Sequence, residues 1–291
     1  MKAEFSHPKF AGIASMEVFG MIRDITIGQY YPTDSLLHRL DPRVKLIGTF
    51  AFIVSLFIFH SVYGYLVVLA FLAGIIKMSR VPFGYIVKGL KAIIVLLLFT
   101  LFFNIFLTPG EHILVRYGWI KITREGLQSA GFMALRLIYL ILGSSLMTFT
   151  TTPNQLTDGL EKVLKPLNRI KVPVHEISMM MSIALRFIPI LLEETDKIMK
   201  AQMARGADFE SGGLLKRAKS LIPLLVPLFV SAFRRANDLA MAMEARCYRG
   251  GDGRTKMKPL RYHSRDYGAY VGLLVYVGII ITIRVLEGSI L

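Results

Sequence analysis

An all-α integral membrane protein of about five spans, with three amphipathic helices on its cytoplasmic side, is the fold class this sequence predicts. Three observations carry it. The 291 residues are 54% hydrophobic and 19% charged, with a mean hydropathy of +0.52, which leaves too little polar surface for a soluble domain of this length. The apolar residues gather in uncharged runs at 46–76, 92–108, 137–153 and 268–283, the pattern of segments that lipid surrounds on every side. Between 153 and 262 the pattern turns one-sided, as in helices that lie against a surface rather than cross it.

Taken in chain order, residues 1–24 lack the basic, apolar and small-residue order of a signal peptide and read as an N-terminal extension without function. Residues 25–152 hold the first four spans. The run 46–76 would make a helix about 46 Å long at roughly 1.5 Å per residue, against a hydrocarbon core of about 30 Å. A hairpin turning near His60, Ser61 and Gly64 resolves the excess; one overlong tilted helix is the alternative. Positive charge supports the hairpin, because Lys77, Arg80, Lys88 and Lys91 follow its second arm while the turn has no Lys or Arg, which places the N-terminus and that basic loop in the cytoplasm. The runs 92–108 and 137–153 supply the third and fourth spans. The loop between them faces outside, with Arg116, Lys121 and Arg124 partly balanced by Glu111 and Glu125. Residues 153–262 return to the cytoplasm, and 263–291 carry the last span.

Lys+Arg 35 against Asp+Glu 20 gives a net charge of +15, which in a soluble protein would point to nucleic acid. Here more than half of the excess lies in 153–262, with 19 basic and 11 acidic residues, where it faces anionic lipid. The bilayer is the expected partner and nucleic acid is not. Cys247 is the one cysteine, so no internal disulfide forms, and the scattered histidines offer no zinc-ligand spacing.

Within 153–262, Thr152, Pro153 and Asn154 are start signals for a short helix through Leu156, Leu160, Val163 and Leu164. A longer one carries Ile188, Leu191, Leu192, Ile198 and Met199 among charged residues. A third keeps steps of three and four through Leu225, Leu228, Phe229, Ala232, Phe233, Ala236, Leu239, Ala240 and Met243. The two long helices end alike, in Ala204-Arg205-Gly206 and Ala245-Arg246-Cys247. Arginine in a last turn suits the helix dipole, and a following glycine takes the left-handed conformation that stops the helix. A guanidinium displayed there also reaches a partner's carboxylates or carbonyls in forked geometry. Simple capping accounts for either triplet alone; the repetition on consecutive helices favours a docking device.

On Gly28-Gln-Tyr-Tyr, His38-Arg-Leu-Asp-Pro-Arg-Val-Lys45, Ala184-Leu-Arg-Phe-Ile-Pro189 and Glu244-Ala-Arg-Cys-Tyr-Arg-Gly250, the chain resembles the transmembrane T component of energy-coupling factor transporters. The resemblance runs from about residue 25 to 266. It implies an L-shaped membrane protein of a prokaryotic plasma membrane that works with two ABC-type ATPase subunits and a small membrane S component. The S component captures a vitamin or other micronutrient. The resemblance assigns ATPase docking to Ala204, Arg205 and Gly206 and to Ala245, Arg246 and Cys247. Cysteine stands where the family pattern has glycine, which brings the cap at Cys247 into question and leaves Gly250 and Gly251 to end the turn later. No catalytic, metal or cofactor site is expected in this chain, and ATP would be bound by the partners.

The rivals are weaker. A phosphate-binding Walker loop needs a Gly-Lys pair and the chain has none. His175-Glu176 continues as Ile-Ser-Met, without the second histidine of a zinc protease. A stand-alone channel or secondary transporter is the serious alternative, yet such proteins usually place acids at membrane depth, and the two acids within 46–152 fall in a loop. Arg136, about ten residues into the fourth span, reads either as a structural charge between helices or headgroups or as an S-component contact. Met179, Met180, Met181, Met199, Met203, Met241 and Met243 suit either a repacking surface or ordinary gap filling.

Overall fold

The computed structural model describes residues 30–59, 61–91, 93–107, 113–117, 120–207, 219–251 and 259–290, with the single positions 209, 213, 215 and 257. The expected extension at 1–24, Gly28 of the first motif and His60 lie outside them. The elements in order are α1 (Pro42–Ser55), α2 (Val62–Ser79), α3 (Phe83–Lys91), α4 (Ile94–Leu107), β1 (Ile113–Tyr117), β2 (Ile120–Thr123), α5 (Arg124–Thr150), α6 (Pro153–Leu164), α7 (Val174–Ala204), α8 (Ile222–Ala245) and α9 (Ser264–Ile290), with a short 3-10 helix (Lys165–Ile170) after α6. The fold is all-α with one addition that hydropathy did not foretell. β1 and β2 pair antiparallel, Arg116 opposite Lys121, inside the loop between the third and fourth spans.

The run 46–76 is divided as the hairpin reading requires. α1 ends at Ser55, and Ser61 caps α2 by accepting from the Tyr63 N–H at 3.3 Å. Gly64 lies in the first turn of α2 rather than in the bend itself. A Cβ there would stand 2.2 Å from the Phe59 ring, so glycine is what lets Phe59 fold over the helix start. Among the described residues, four helices are long and apolar enough to cross a bilayer: α2, α5, α7 and α9; α4 is apolar but shorter. α7 belongs to this set because its first half is nearly uncharged, although its second half holds Glu193, Glu194, Asp196, Lys197 and Lys200.

Two compact units emerge, one from 28–166 with 258–291, the other from 167–257. The division falls after Pro166 rather than at residue 153, because α6 packs on α1: a Cβ on Gly159 would meet Pro42 at 3.0 Å and Leu46 at 3.1 Å. α6 itself starts with a full capping box, Thr152 and Gln155 exchanging side-chain to backbone bonds at 3.2 and 3.3 Å.

The core of the first unit joins Phe52, Leu56, Phe59, Val68, Leu72, Tyr139, Leu146, Tyr276 and Ile280. Phe71 stacks on Tyr276 at 4.0 Å, and the Tyr276 hydroxyl meets Ser55 Oγ at 2.7 Å. Outward faces stay apolar, Val95 77% exposed and Phe99 60%, as they must where lipid is the solvent. Arg136 turns its guanidinium to the α1–α2 bend, with Nη2 3.5 Å from the Phe59 carbonyl and the cation 5.4 Å from the Phe57 ring. These contacts support its structural reading, since a charge at that depth needs a carbonyl or a ring face.

The motif around residue 41 builds a polar knot at one end of this unit. Asp41 caps α1, accepting from the Arg43 N–H at 2.9 Å. Its own N–H donates to Asp266 Oδ1 at 2.8 Å, while Asp266 Oδ2 accepts from the His263 N–H at 2.7 Å. Lys45 Nζ donates to the carbonyls of Thr150 at 2.8 Å and His38 at 3.2 Å. Arg43 reaches the Leu260 carbonyl and lies over the Tyr262 ring at 4.8 Å. Burial lowers the pKa of His38, whose ring lies between Ser35 Oγ at 2.7 Å and the Tyr31 carbonyl at 3.0 Å. The knot thereby fastens the starts of α1 and α9 to the end of α5.

Candidate functional site: two arginine-bearing helix ends

α7 and α8 form the second unit as an antiparallel pair. Arg235 Nη2 meets Glu194 Oε2 at 3.2 Å, and Gln202 Nε2 donates to the Pro223 carbonyl at 3.3 Å, so residue numbers rise on one helix as they fall on the other. Past the end of α8, Gly251 lies so close to the start of α7 that a Cβ there would come within 2.4 Å of the His175 ring. One triplet therefore sits beside the start of α8 and the other beside the start of α7. From Pro223 to Arg246 is about 35 Å at roughly 1.5 Å per residue. The two arginines stand at opposite ends of the pair.

The ends are built identically. At the first, the Gly206 N–H bonds the Met203 carbonyl at 3.0 Å and the Ala207 N–H bonds the Gln202 carbonyl at 3.0 Å, with Gly206 at φ +87°. At the second, Cys247 bonds Glu244 at 2.8 Å and Tyr248 bonds Met243 at 3.0 Å, with Cys247 at φ +54°. Both are Schellman motifs, which close the last carbonyls of the helix through a left-handed residue. This corrects the expectation of a displaced stop: Cys247 itself takes the glycine position, and Gly250, at φ +95°, makes a further turn beyond it.

Because the carbonyls are closed by backbone, neither arginine is needed as a cap. Ala204, Arg205 and Gly206, and Ala245, Arg246 and Cys247, are all exposed. Neither guanidinium makes a hydrogen bond or ion pair among the described residues. Five donors in a fixed fork, flanked by small side chains, form a protrusion that a groove of complementary charge can accept.

The apolar stripe expected on α8 is only half used by the pairing. Leu224 is buried and Leu228 partly so, but Leu225, Phe229 and Phe233 remain 52%, 66% and 61% exposed. Arg235 and Glu194 bridge the two helices; opposite charge on neighbouring amphipathic helices is the sequence signal for that pair. Among the methionines, Met180, Met181 and Met241 are exposed, while Met199 and Met243 are half-buried. No group of His, Cys, Asp and Glu fit for a metal occurs among the described residues.

The family described as CbiQ, cobalt transport protein, matches residues 33–257. An energy-coupling factor transporter transmembrane protein EcfT of Clostridium kluyveri is 58% identical over 270 residues, 92% of this chain and 100% of that one. The protein of the same description from Bacillus subtilis is 50% identical over 264 residues, 91% of this chain and 100% of that one. That from Lactococcus lactis is 48% identical over 254 residues, 87% of this chain and 96% of that one. With the arginine-ended helix pair inside the matched region, the chain belongs to this family, as a multi-pass transmembrane component of an energy-coupling factor transporter.

Proposed function

We propose that this chain couples ATP hydrolysis by two partner ATPase subunits to movement of a substrate-binding S component, and so drives uptake of a vitamin or other micronutrient across a prokaryotic plasma membrane. One observation supports this reading above the rest. Two exposed arginines, without a hydrogen-bond or ion-pair partner among the described residues, sit on identically closed helix ends about 35 Å apart, a spacing suited to one subunit each rather than to one shared groove. Each ATPase receives one arginine, and ATP binding and hydrolysis change the distance between those two subunits. That change tilts α7 against α8, and the uncovered Leu225, Phe229 and Phe233 face transmits the tilt to the S component. ATP is bound by the partners and the chain performs no chemistry itself. Its N-terminus and the α7–α8 pair lie on the cytoplasmic side.

The test is copurification from the native membrane. With Arg205→Glu and Arg246→Glu together, both ATPases are lost from the purified complex while the chain remains membrane-inserted. Retention of both ATPases with normal ATP-driven uptake would reduce the triplets to helix ends. The placement of α7 is tested separately by single cysteines at Lys171 and Ala207 in a chain lacking Cys247. A helix lying along the membrane leaves both positions labelled from the cytoplasm only, whereas a crossing helix puts them on opposite sides.

A further inference from the structure

A crevice of about 470 Å³ opens in the membrane unit between α1, α2, α5 and α9. Its walls are apolar, with Phe52, Phe71 and Leu72 toward the deep end, and its floor on α1 and α9 is small, Gly48, Gly268 and Gly272. A Cβ at any of these three glycines would meet nothing within 4 Å, so the space is open because of their missing side chains rather than filled by neighbours. Of the polar residues in the lining, Lys45, Thr150 and Arg265 come from the start of α1, the end of α5 and the start of α9, the three helix ends that the Asp41–Asp266 knot ties together, and Thr49 lies one turn further along α1. The first three therefore gather at one mouth. From Arg265 to Leu273 the crevice runs two turns of α9, about 12 Å.

The charges at that mouth are not equivalent. Asp41 and Asp266 do not line the crevice; their carboxylates are spent on backbone N–H groups. Lys45 is 8% exposed and gives two of its three N–H groups to the Thr150 and His38 carbonyls, leaving the third unused among the described residues. Arg265 is exposed and makes no hydrogen bond or ion pair among the described residues. An apolar slot two helical turns deep, with two cationic groups at its interfacial mouth, is complementary to one molecule that a bilayer supplies: an acyl chain carrying an anionic headgroup. A partner helix fits less well. It needs a long open face, whereas this slot is closed by four helices and ends at aromatic side chains.

We propose that this crevice binds an anionic glycerophospholipid, its phosphate at Lys45 and Arg265 and one acyl chain between Gly48 and Gly272. The lipid joins α9 to α1 and α5 at the level of the knot, so its occupancy bears on how firmly the last helix is held.

Native mass spectrometry of the full-length chain in detergent, titrated with phosphatidylglycerol or phosphatidylcholine of the same acyl composition, tests this. Phosphatidylglycerol is expected to bind about five- to tenfold tighter, the contribution of one or two basic side chains near a headgroup. Arg265→Gln, at an exposed and unpaired position, removes that preference. Gly272→Leu fills the slot and lowers binding of both lipids while Arg265 remains. Equal binding of the two lipids by the unaltered chain overturns the proposal, as does undiminished phosphatidylglycerol binding by both variants. If Gly272→Leu instead abolishes copurification of a small membrane subunit with lipid binding unchanged, the crevice houses a protein helix and the lipid assignment is wrong.

Discussion

The two units of this chain treat their charged groups in opposite ways. In the membrane unit four charges are engaged within the unit itself: Arg136 on the Phe59 carbonyl and the Phe57 ring, Lys45 on two carbonyls, Asp41 and Asp266 on backbone N–H groups, with Arg265 open at the crevice mouth. In the α7–α8 pair, Arg235 and Glu194 meet, but Arg205 and Arg246 have no ion pair among the described residues and stand at ends whose carbonyls are already closed. The difference follows from the solvent each must face. A polar group left open in hydrocarbon costs several kcal/mol, on the order of a whole domain's margin of stability, so the membrane unit satisfies its own. A guanidinium in water costs little to leave free and keeps its binding capacity for a partner.

The largest effect expected from this contrast lies in the knot. Asp266→Ala strands the Asp41 and His263 N–H groups that its carboxylate accepts from, a loss of about 3 to 5 kcal/mol for two hydrogen bonds to a charged group. Thermal unfolding of the detergent-purified chain should fall steeply, and Asp266→Asn should recover part of it by keeping the Oδ1 acceptor. Unfolding as in the unaltered chain would show the knot to be ornamental and the contrast false.

Next in size are the arginines taken singly. Arg205→Glu or Arg246→Glu is expected to weaken ATPase association by about 2 to 5 kcal/mol, as at other buried interfacial charges, and to leave the melting transition of the isolated chain where it was. Lysine at either place keeps the charge and loses the fork, so copurification should be partial. A substitution that lowers the melting temperature as much as the association would mean that these side chains stabilise the fold, and the two regions would not differ.

How far these features were legible in the sequence depended on whether their cause was local. The division of 46–76 and the start of α6 at Thr152 follow from helix length and capping, both written in adjacent residues. The Asp41–Asp266 contact joins positions 225 residues apart, and no periodicity announces it; only the motif 38–45 hinted that the site held something. The β1–β2 ribbon is too short for a local pattern to mark it. The stop at Cys247 runs against the rarity of a left-handed cysteine, and two backbone bonds closing over Met243 and Glu244 hold it there. That both arginines stand on ends already capped by backbone is likewise invisible in a sequence.

The smallest effect is also the cleanest, because the two triplets share one geometry and differ only at Gly206 and Cys247. A side chain in the left-handed region costs about 1 to 2 kcal/mol, while introducing glycine loosens the unfolded chain by about 0.4 to 1 kcal/mol. Cys247→Gly should therefore stabilise the end of α8 by about 0.5 to 1 kcal/mol. Gly206→Cys should destabilise the end of α7 by a similar amount, since no neighbour stands within 4 Å of the added Cβ. The readout is amide exchange at the bonds that form the stops, Cys247 to Glu244 and Tyr248 to Met243 at one end, Gly206 to Met203 and Ala207 to Gln202 at the other. Protection should rise two- to fivefold in the first variant and fall by about as much in the second. ATPase copurification should hold in both, because each arginine keeps its place one residue before the stop. If Cys247→Gly leaves exchange unchanged but weakens the ATPase complex, the exposed thiol is itself a docking contact and the two ends are not equivalent after all.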